Sequence, residues 1–308
     1  MRGHVLYPEL QLALPDGTDQ SPRCTSRNQG EPVSASAQPR RRVTILGAGY
    51  TGRFLIRCLL DAGYEVVATR RRPPAHAVSH PALRWTAFDL ENPGTCENVP
   101  PSWGLVWSFP AEPRPAVESF ARALPLLAER VVVIGTTSSY LQEAEDDLVT
   151  ESSPLDLSSP RVEGESVLQN AGAVVLRSAG IYGPGRNPLD WLRNGRISSG
   201  AKYVNLVHAE DLAAAIAAGL ESSVRSDHFI VTDGTPMQWG TIAAWAAKKG
   251  FLSDVQWRGS AGLSSRRLSN AKMLSVLHPS LTHASLFGEL ERLEGGGQLP
   301  NMETSPAP

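Results

Sequence analysis

The chain has 308 residues, of which 29 Lys+Arg stand against 31 Asp+Glu for a formal net charge of -2, and 41% are hydrophobic. That length suits one large domain or two intimate ones, and the balanced charge supplies no basic field to recruit nucleic acid or an anionic membrane. Three widely spaced cysteines (Cys24, Cys58, Cys96) form neither a disulfide framework nor a zinc spacing, so a reducing cytoplasm is the expected compartment. No apolar run approaches the roughly 20 residues that a bilayer crossing requires, and Pro8 and Glu9 interrupt any signal-peptide pattern.

In chain order, residues 1–41 are rich in Pro, Ser, Gln, Gly and Arg and read as a disordered tail. Val43, Thr44, Ile45 and Leu46 make a first strand that stops at Gly47. Phe54, Leu55, Cys58, Leu59 and Ala62 then recur at helical spacing up to Gly63. Further strands are expected at 65–69, 83–88, 104–109, 130–134, 173–176 and 229–232, with helices over 116–127, 163–169 and 211–218. Repeated β-α-β order with apolar, β-branched strands implies an α/β fold, a doubly wound parallel (Rossmann) sheet. The expected organisation is a Rossmann domain over 42–185 and a small C-terminal substrate subdomain over 186–290. One strand near 228–232 returns from the subdomain to the sheet, and 291–308 forms a second disordered tail.

Gly47-Ala48-Gly49-Tyr50-Thr51-Gly52 has the G-x-G-x-x-G spacing of a dinucleotide turn, and it follows a strand and opens a helix. Gly47 allows the tight turn, Gly49 lets the backbone approach a pyrophosphate, and Gly52 allows close helix–strand packing. The helix opening at Tyr50 and Thr51 offers free N–H groups and positive potential to an anion. An NAD site commonly carries an acidic residue about 20 positions further on, to bind the ribose hydroxyls. Here the second strand ends in Arg70-Arg71-Arg72, whose guanidinium groups would grip a 2′-phosphate. NADP(H) is therefore the favoured cofactor, with NAD(H) still allowed, and Asp89 is placed to meet the adenine edge.

Together with Gly135-Thr136-Thr137-Ser138-Ser139-Tyr140, the stretch from Leu176 to Arg186 and the segment from Asn205 to Asp211, these residues resemble the extended short-chain dehydrogenase/reductase family. The resemblance is to its NAD-dependent epimerase/dehydratase group, and runs from about 43 to about 290. It implies a nicotinamide site near Gly180, a catalytic hydroxyl at Thr136 and a Tyr-x-x-x-Lys pair on the helix that follows. Aligned just before Glu163-Gly164-Glu165, that pair reads Leu157 and Arg161, so the chain resembles an atypical branch without the dyad. Leu157 has no proton to give, whereas Arg161 can stabilise negative charge but not shuttle a proton.

Tyr140 and Tyr182 are the substitute donors, and Thr136, Tyr140 and Arg161 the catalytic candidates. His208 and Asp211 are expected to fix a loop and cap a helix. Trp107 and Trp191, near the strand ends, suggest an apolar or aromatic substrate. No G-x-S-x-G elbow, phosphate-binding G-x-x-x-x-G-K-[ST] or H-E-x-x-H occurs. His76 and His80 lie among prolines, so no metal site is expected. The preferred reading is an NAD(P)H-dependent oxidoreductase acting on a small molecule, with a homodimer allowed. Its rivals are a non-catalytic NADP-binding sensor or assembly protein, and an epimerase or dehydratase with a relocated proton donor.

Overall fold

The computed structural model describes residues 40–74, 80–141, 147–253, 255–257, 265–283 and 285–296. His76 and the tail up to residue 39 lie outside them. In chain order the first half runs β1 (Arg42–Leu46), α1 (Tyr50–Asp61), β2 (Glu65–Arg70), β3 (Leu83–Ala87), β4 (Ser102–Trp107), α2 (Arg114–Ala121), α3 (Leu124–Leu127) and β5 (Ala128–Thr136). Then come β6 (Asp147–Val149), α4 (Pro160–Asn170), β7 (Val174–Ser178), β8 (Gly180–Tyr182), α5 (Pro188–Arg193), β9 (Tyr203–Val204), β10 (Leu206–His208) and α6 (Ala209–Glu221). The chain closes with β11 (His228–Val231), β12 (Met237–Gln238), α7 (Trp239–Lys248), β13 (Arg266–Leu268), α8 (Ala271–Leu277) and α9 (Leu286–Glu294).

The central sheet has seven parallel strands in the order β11-β7-β5-β4-β1-β2-β3. Alternate strand residues enter two separate cores. Val43, Ile45, Val106, Val132 and Leu176 pack with α1 and α6 on one face. Leu46, Leu105, Trp107, Val133 and Val175 pack with α2 and α4 on the other. Burial on both faces makes these strands continuous apolar runs, which is why they are legible. The connections reverse direction between β1 and β4, and a ligand crevice opens there, beyond the carboxyl ends of the strands.

Beyond the sheet, short pairs β8/β10, β9/β12 and β6/β13 frame a smaller layer. Its core is Tyr182, Leu189, Leu206, Trp239, Ile242 and Leu290 from β8, β10, α5, α7 and α9. Helix α9 continues to Glu294, past the expected boundary at 291. Arg41, assigned to the tail by sequence, lies over the Trp103 ring at 4.6 Å. The single helix expected over 116–127 divides in two, because Pro125 has no N–H to carry a helix through that point.

Helix α6 begins two residues before Asp211. His208 is its cap, with Nδ1 accepting from the Glu210 N–H at 3.3 Å. Asp211 instead accepts from the Thr282 and His283 N–H groups, at 2.8 and 3.1 Å. The His283 ring stacks on His208 with centroids 3.6 Å apart. His283 places Nε2 2.9 Å from Glu210 Oε2 and Nδ1 3.0 Å from Glu289 Oε1. His208, His283 and Glu289 form the one group among the described residues with metal-ligand proximity. With a carboxylate at each of its nitrogens, His283 is better satisfied as an imidazolium.

One proton therefore serves the stacked pair. Burial and the His283 charge lower the His208 pKa to about 4, whereas the Glu289 and Glu210 carboxylates outweigh desolvation and raise that of His283. His208, neutral in the fold and ordinary when unfolded, contributes stability above about pH 6.5 that disappears as the pH falls towards 4. His283 contributes below its unfolded value and loses that contribution as the pH rises through its folded one. Thermal unfolding across pH 4–8 should show the acid-side loss reduced by about 3 kcal/mol in His208→Gln. An unchanged pH slope would contradict the assignment.

Candidate active site

At the switch point Gly47 turns with φ +78, and a Cβ there would meet the Phe109 ring at 2.6 Å. A Cβ on Gly52 would come within 3.0 Å of the Ala48 methyl, so this glycine serves packing. At Gly49 the nearest atom to such a Cβ is the Gly47 carbonyl oxygen at 3.9 Å, leaving the backbone open to an incoming group. Helix α1 starts here with no side-chain cap and no acidic residue in its first turn. Its leading N–H groups and positive end are thus available to an anion, as a dinucleotide pyrophosphate needs.

Two cavities meet at this turn. The first, about 880 Å³, is lined by Gly47, Gly49, Arg70, Arg71, Arg72 and Asp89 among others. Arg70 donates from Nε to the Ala48 carbonyl at 2.7 Å, and its guanidinium lies 5.2 Å over the Trp85 ring. It therefore ties the glycine turn to the end of β2, while the exposed Arg71 and Arg72 present their charge to the cavity. Asp89 lines the same cavity, its Oδ1 accepting from the Glu91 N–H at 3.2 Å.

The second cavity, about 420 Å³, runs from Gly49, Tyr50 and Thr51 to Thr136, Arg161 and Glu165. Thr136 ends β5, and its hydroxyl accepts from the Ser138 N–H at 3.2 Å. Pro160 starts α4, where a missing N–H costs nothing, so Arg161 sits on the first helical turn. Leu157 lies before that start and is 74% exposed, away from the cleft. Arg161 and Glu165, four residues apart on α4, line the same cavity as Thr136.

Sequence reasoning missed Glu165. It is buried, and its Oε2 accepts from Arg177 Nε at 2.8 Å. The Thr136 N–H also bonds this carboxylate. Burial nevertheless pushes its pKa above the ordinary range, against the pull of Arg177 and the Thr136 N–H. Pro160 was the available signal: a helix beginning there excludes Leu157 and brings Arg161 and Glu165 to one face.

Several expected placements need correction. Tyr140 points into the interior, 3% exposed, its hydroxyl accepting from Arg177 Nη1 at 3.4 Å, and burial raises its pKa. Tyr182 is fully buried, and desolvation raises its pKa far above usefulness as an acid. Neither lines the cleft. Gly180 also misses it: strand alternation turns Ala179 and Ile181 inward, and Gly180 faces Asn205 and Leu206. Trp107 is fully buried against Phe109 and Phe120, and Trp191 packs on Trp239. The tryptophan basis for an apolar substrate is therefore gone.

The sheet order, the glycine turn and the crevice at the switch point define a Rossmann dinucleotide-binding fold. More particularly, it is the fold of the NAD-dependent epimerase/dehydratase structures. MoeE5 in complex with UDP-glucuronic acid and NAD superposes with a TM-score of 0.67 at 20% identity, covering 84% of this chain and 97% of that one. The dTDP-glucose 4,6-dehydratase of Bacillus anthracis, in complex with NAD, gives 0.67 at 15% identity, covering 84% and 97%. A conserved protein of unknown function from Silicibacter pomeroyi gives 0.64 at 23% identity, covering 83% and 98%. No protein-family model and no curated protein matches the sequence. Among the described residues no helix is long and apolar enough to cross a membrane.

Proposed function

We propose that this protein is an NADP(H)-dependent oxidoreductase that reduces a carbonyl or conjugated ring of a small molecule. The observation that carries this reading is the pair of cavities that share Gly49 and Phe109 in their linings, one holding Arg71 and Arg72 and the other Thr136 and Arg161. The turn and the uncapped start of α1 suit a pyrophosphate, and the two exposed arginines suit a 2′-phosphate. When bound, the reduced nicotinamide supplies hydride. The Thr136 hydroxyl donates a hydrogen bond to the substrate oxygen, Arg161 stabilises the negative charge that develops there, and that oxygen takes its proton from solvent water. Glu165 acts as a positioning residue through its bond to the Thr136 N–H. Catalysis then rests on orientation and electrostatics, without a tuned tyrosine.

Calorimetry and a carbonyl panel test this. Arg71→Ala should weaken NADPH about tenfold to a hundredfold, the scale of a lost charge-assisted phosphate contact, and leave NADH nearly unchanged. Equal losses would overturn the cofactor choice. NADPH oxidation with at least one carbonyl or heteroaromatic compound should fall steeply in Thr136→Val. Tight NADPH binding without turnover would instead favour the sensor reading.

A further inference from the structure

The charge of the inner cleft exceeds what a pyridine dinucleotide consumes. Arg161 and Arg186 line the same cavity, from the start of α4 and from the turn after β8. Both side chains are solvent-exposed, and neither guanidinium has a carboxylate partner among the hydrogen bonds and ion pairs of the described residues. Arg186 places its guanidinium 4.7 Å over the Tyr50 ring. Among the described residues the one acidic side chain on the lining, Glu165, is engaged by Arg177 and the Thr136 N–H. It relieves Arg161 only at a distance, one helical turn away.

The phosphates of the dinucleotide already have their own partners. The pyrophosphate has the start of α1, and the adenosine end has Arg71 and Arg72 in the other cavity. Two unneutralised guanidiniums brought to one partly enclosed space repel, and an oxyanion between them removes that repulsion and accepts forked hydrogen bonds. Thr136, Ser108 and Ser178 add hydroxyls to the same wall, and no tryptophan reaches it.

We propose that Arg161 and Arg186 form an oxyanion-binding subsite, and that the substrate is a carbonyl compound bearing a carboxylate or a phosphate. This rests on the oxidoreductase reading for its chemistry, but the subsite can be measured without turnover.

The experiment titrates malonate, inorganic phosphate and the neutral malonamide into the full chain, with and without NADP+, by calorimetry at constant chloride. Parallel titrations use Arg161→Gln and Arg186→Gln, with circular dichroism confirming the fold. At least one anion should bind, with malonamide at least about tenfold weaker. Each variant should lose about tenfold in anion affinity while keeping NADP+ affinity within about twofold. Preference for malonate over phosphate assigns a carboxylate substrate, and the reverse assigns a phosphate. The proposal is overturned if malonamide matches the anions, if neither anion binds, or if both variants keep full anion affinity. It is also overturned if the Arg186→Gln loss falls on NADP+, which would make that residue a cofactor contact. Failure of NADP+ to bind at all, with anion binding intact, sinks the oxidoreductase reading and leaves the subsite standing.

Discussion

Gly164→Ala is expected to destabilise the fold by about 3 kcal/mol or more, the upper range of overpacking. For a chain of this size that lowers the melting temperature by roughly 5–10 °C. Gly164 lies in α4 where the helix presses on the loop between β4 and α2, and a Cβ would overlap the carbonyl oxygen of Ala111. That neighbour is backbone, so no rotamer change relieves the overlap. The helix must withdraw from the loop, and contact between α2 and α4 loosens with it. The same withdrawal moves Arg161 and Glu165, which flank Gly164 on α4, and Ala111, which lines the cleft. Cofactor affinity should therefore fall alongside stability. Gly94→Ala is the control: the nearest atom to a new Cβ there is Asn92 Oδ1 at an ordinary 3.5 Å. It should shift stability by about 0.5 kcal/mol or less. Equal melting temperatures for the two variants would show that α4 packs less tightly than its geometry requires.

That contact is invisible to a reading of α4 alone, and it marks the boundary of what the sequence discloses. Strands β1, β2, β4, β5, β7 and β11 announce themselves through short apolar runs that are buried, whereas the edge strand β3 has no fully buried residue. The glycine turn announces itself because Gly47 must adopt positive φ between a strand and a helix. Two-residue strands such as β9 and β12 have no period to detect, and their pairing is decided by distant partners. Tyr140 shows the same limit at the site. Its sequence position suggested the cleft, but Arg177, 37 residues on, draws the hydroxyl inward, and Arg266, 126 residues on, donates to its carbonyl at 2.6 Å. Arg70 is a milder case: the basic run was legible, whereas its division into one arginine that braces the turn and two that face the cavity needed the fold. Glu165 was within reach, since Pro160 fixes where α4 starts, and the helical period then selects the residues that face Thr136.

Arg177→Met is expected to cost about 3–5 kcal/mol near neutral pH, because it strands a carboxylate in the interior. Arg177 and Glu165 are 1% and 2% exposed, and they join β7 to α4 beneath the end of β5. Without the guanidinium, burial dominates Glu165, already raised above the usual carboxylate range, and drives it further up until it holds a proton. The sign follows from linkage. An acid whose folded pKa exceeds its unfolded value contributes its stability below the unfolded value, near pH 4, and loses it as the pH rises through the folded one. The Arg177→Met deficit should accordingly be smallest near pH 4 and grow towards neutrality. Adding Glu165→Gln removes the charge, and the double variant should recover most of the loss and most of its pH dependence. Gln still offers an oxygen to the Thr136 N–H, so cofactor binding should survive in the double variant even where the single one is impaired. Denaturant unfolding of the three proteins from pH 4 to 8 decides the matter. A pH-independent deficit in Arg177→Met, or a double variant no better than the single one, would mean that the arginine serves by packing against the Tyr140 ring, 5.3 Å from its guanidinium, and not by holding a buried charge.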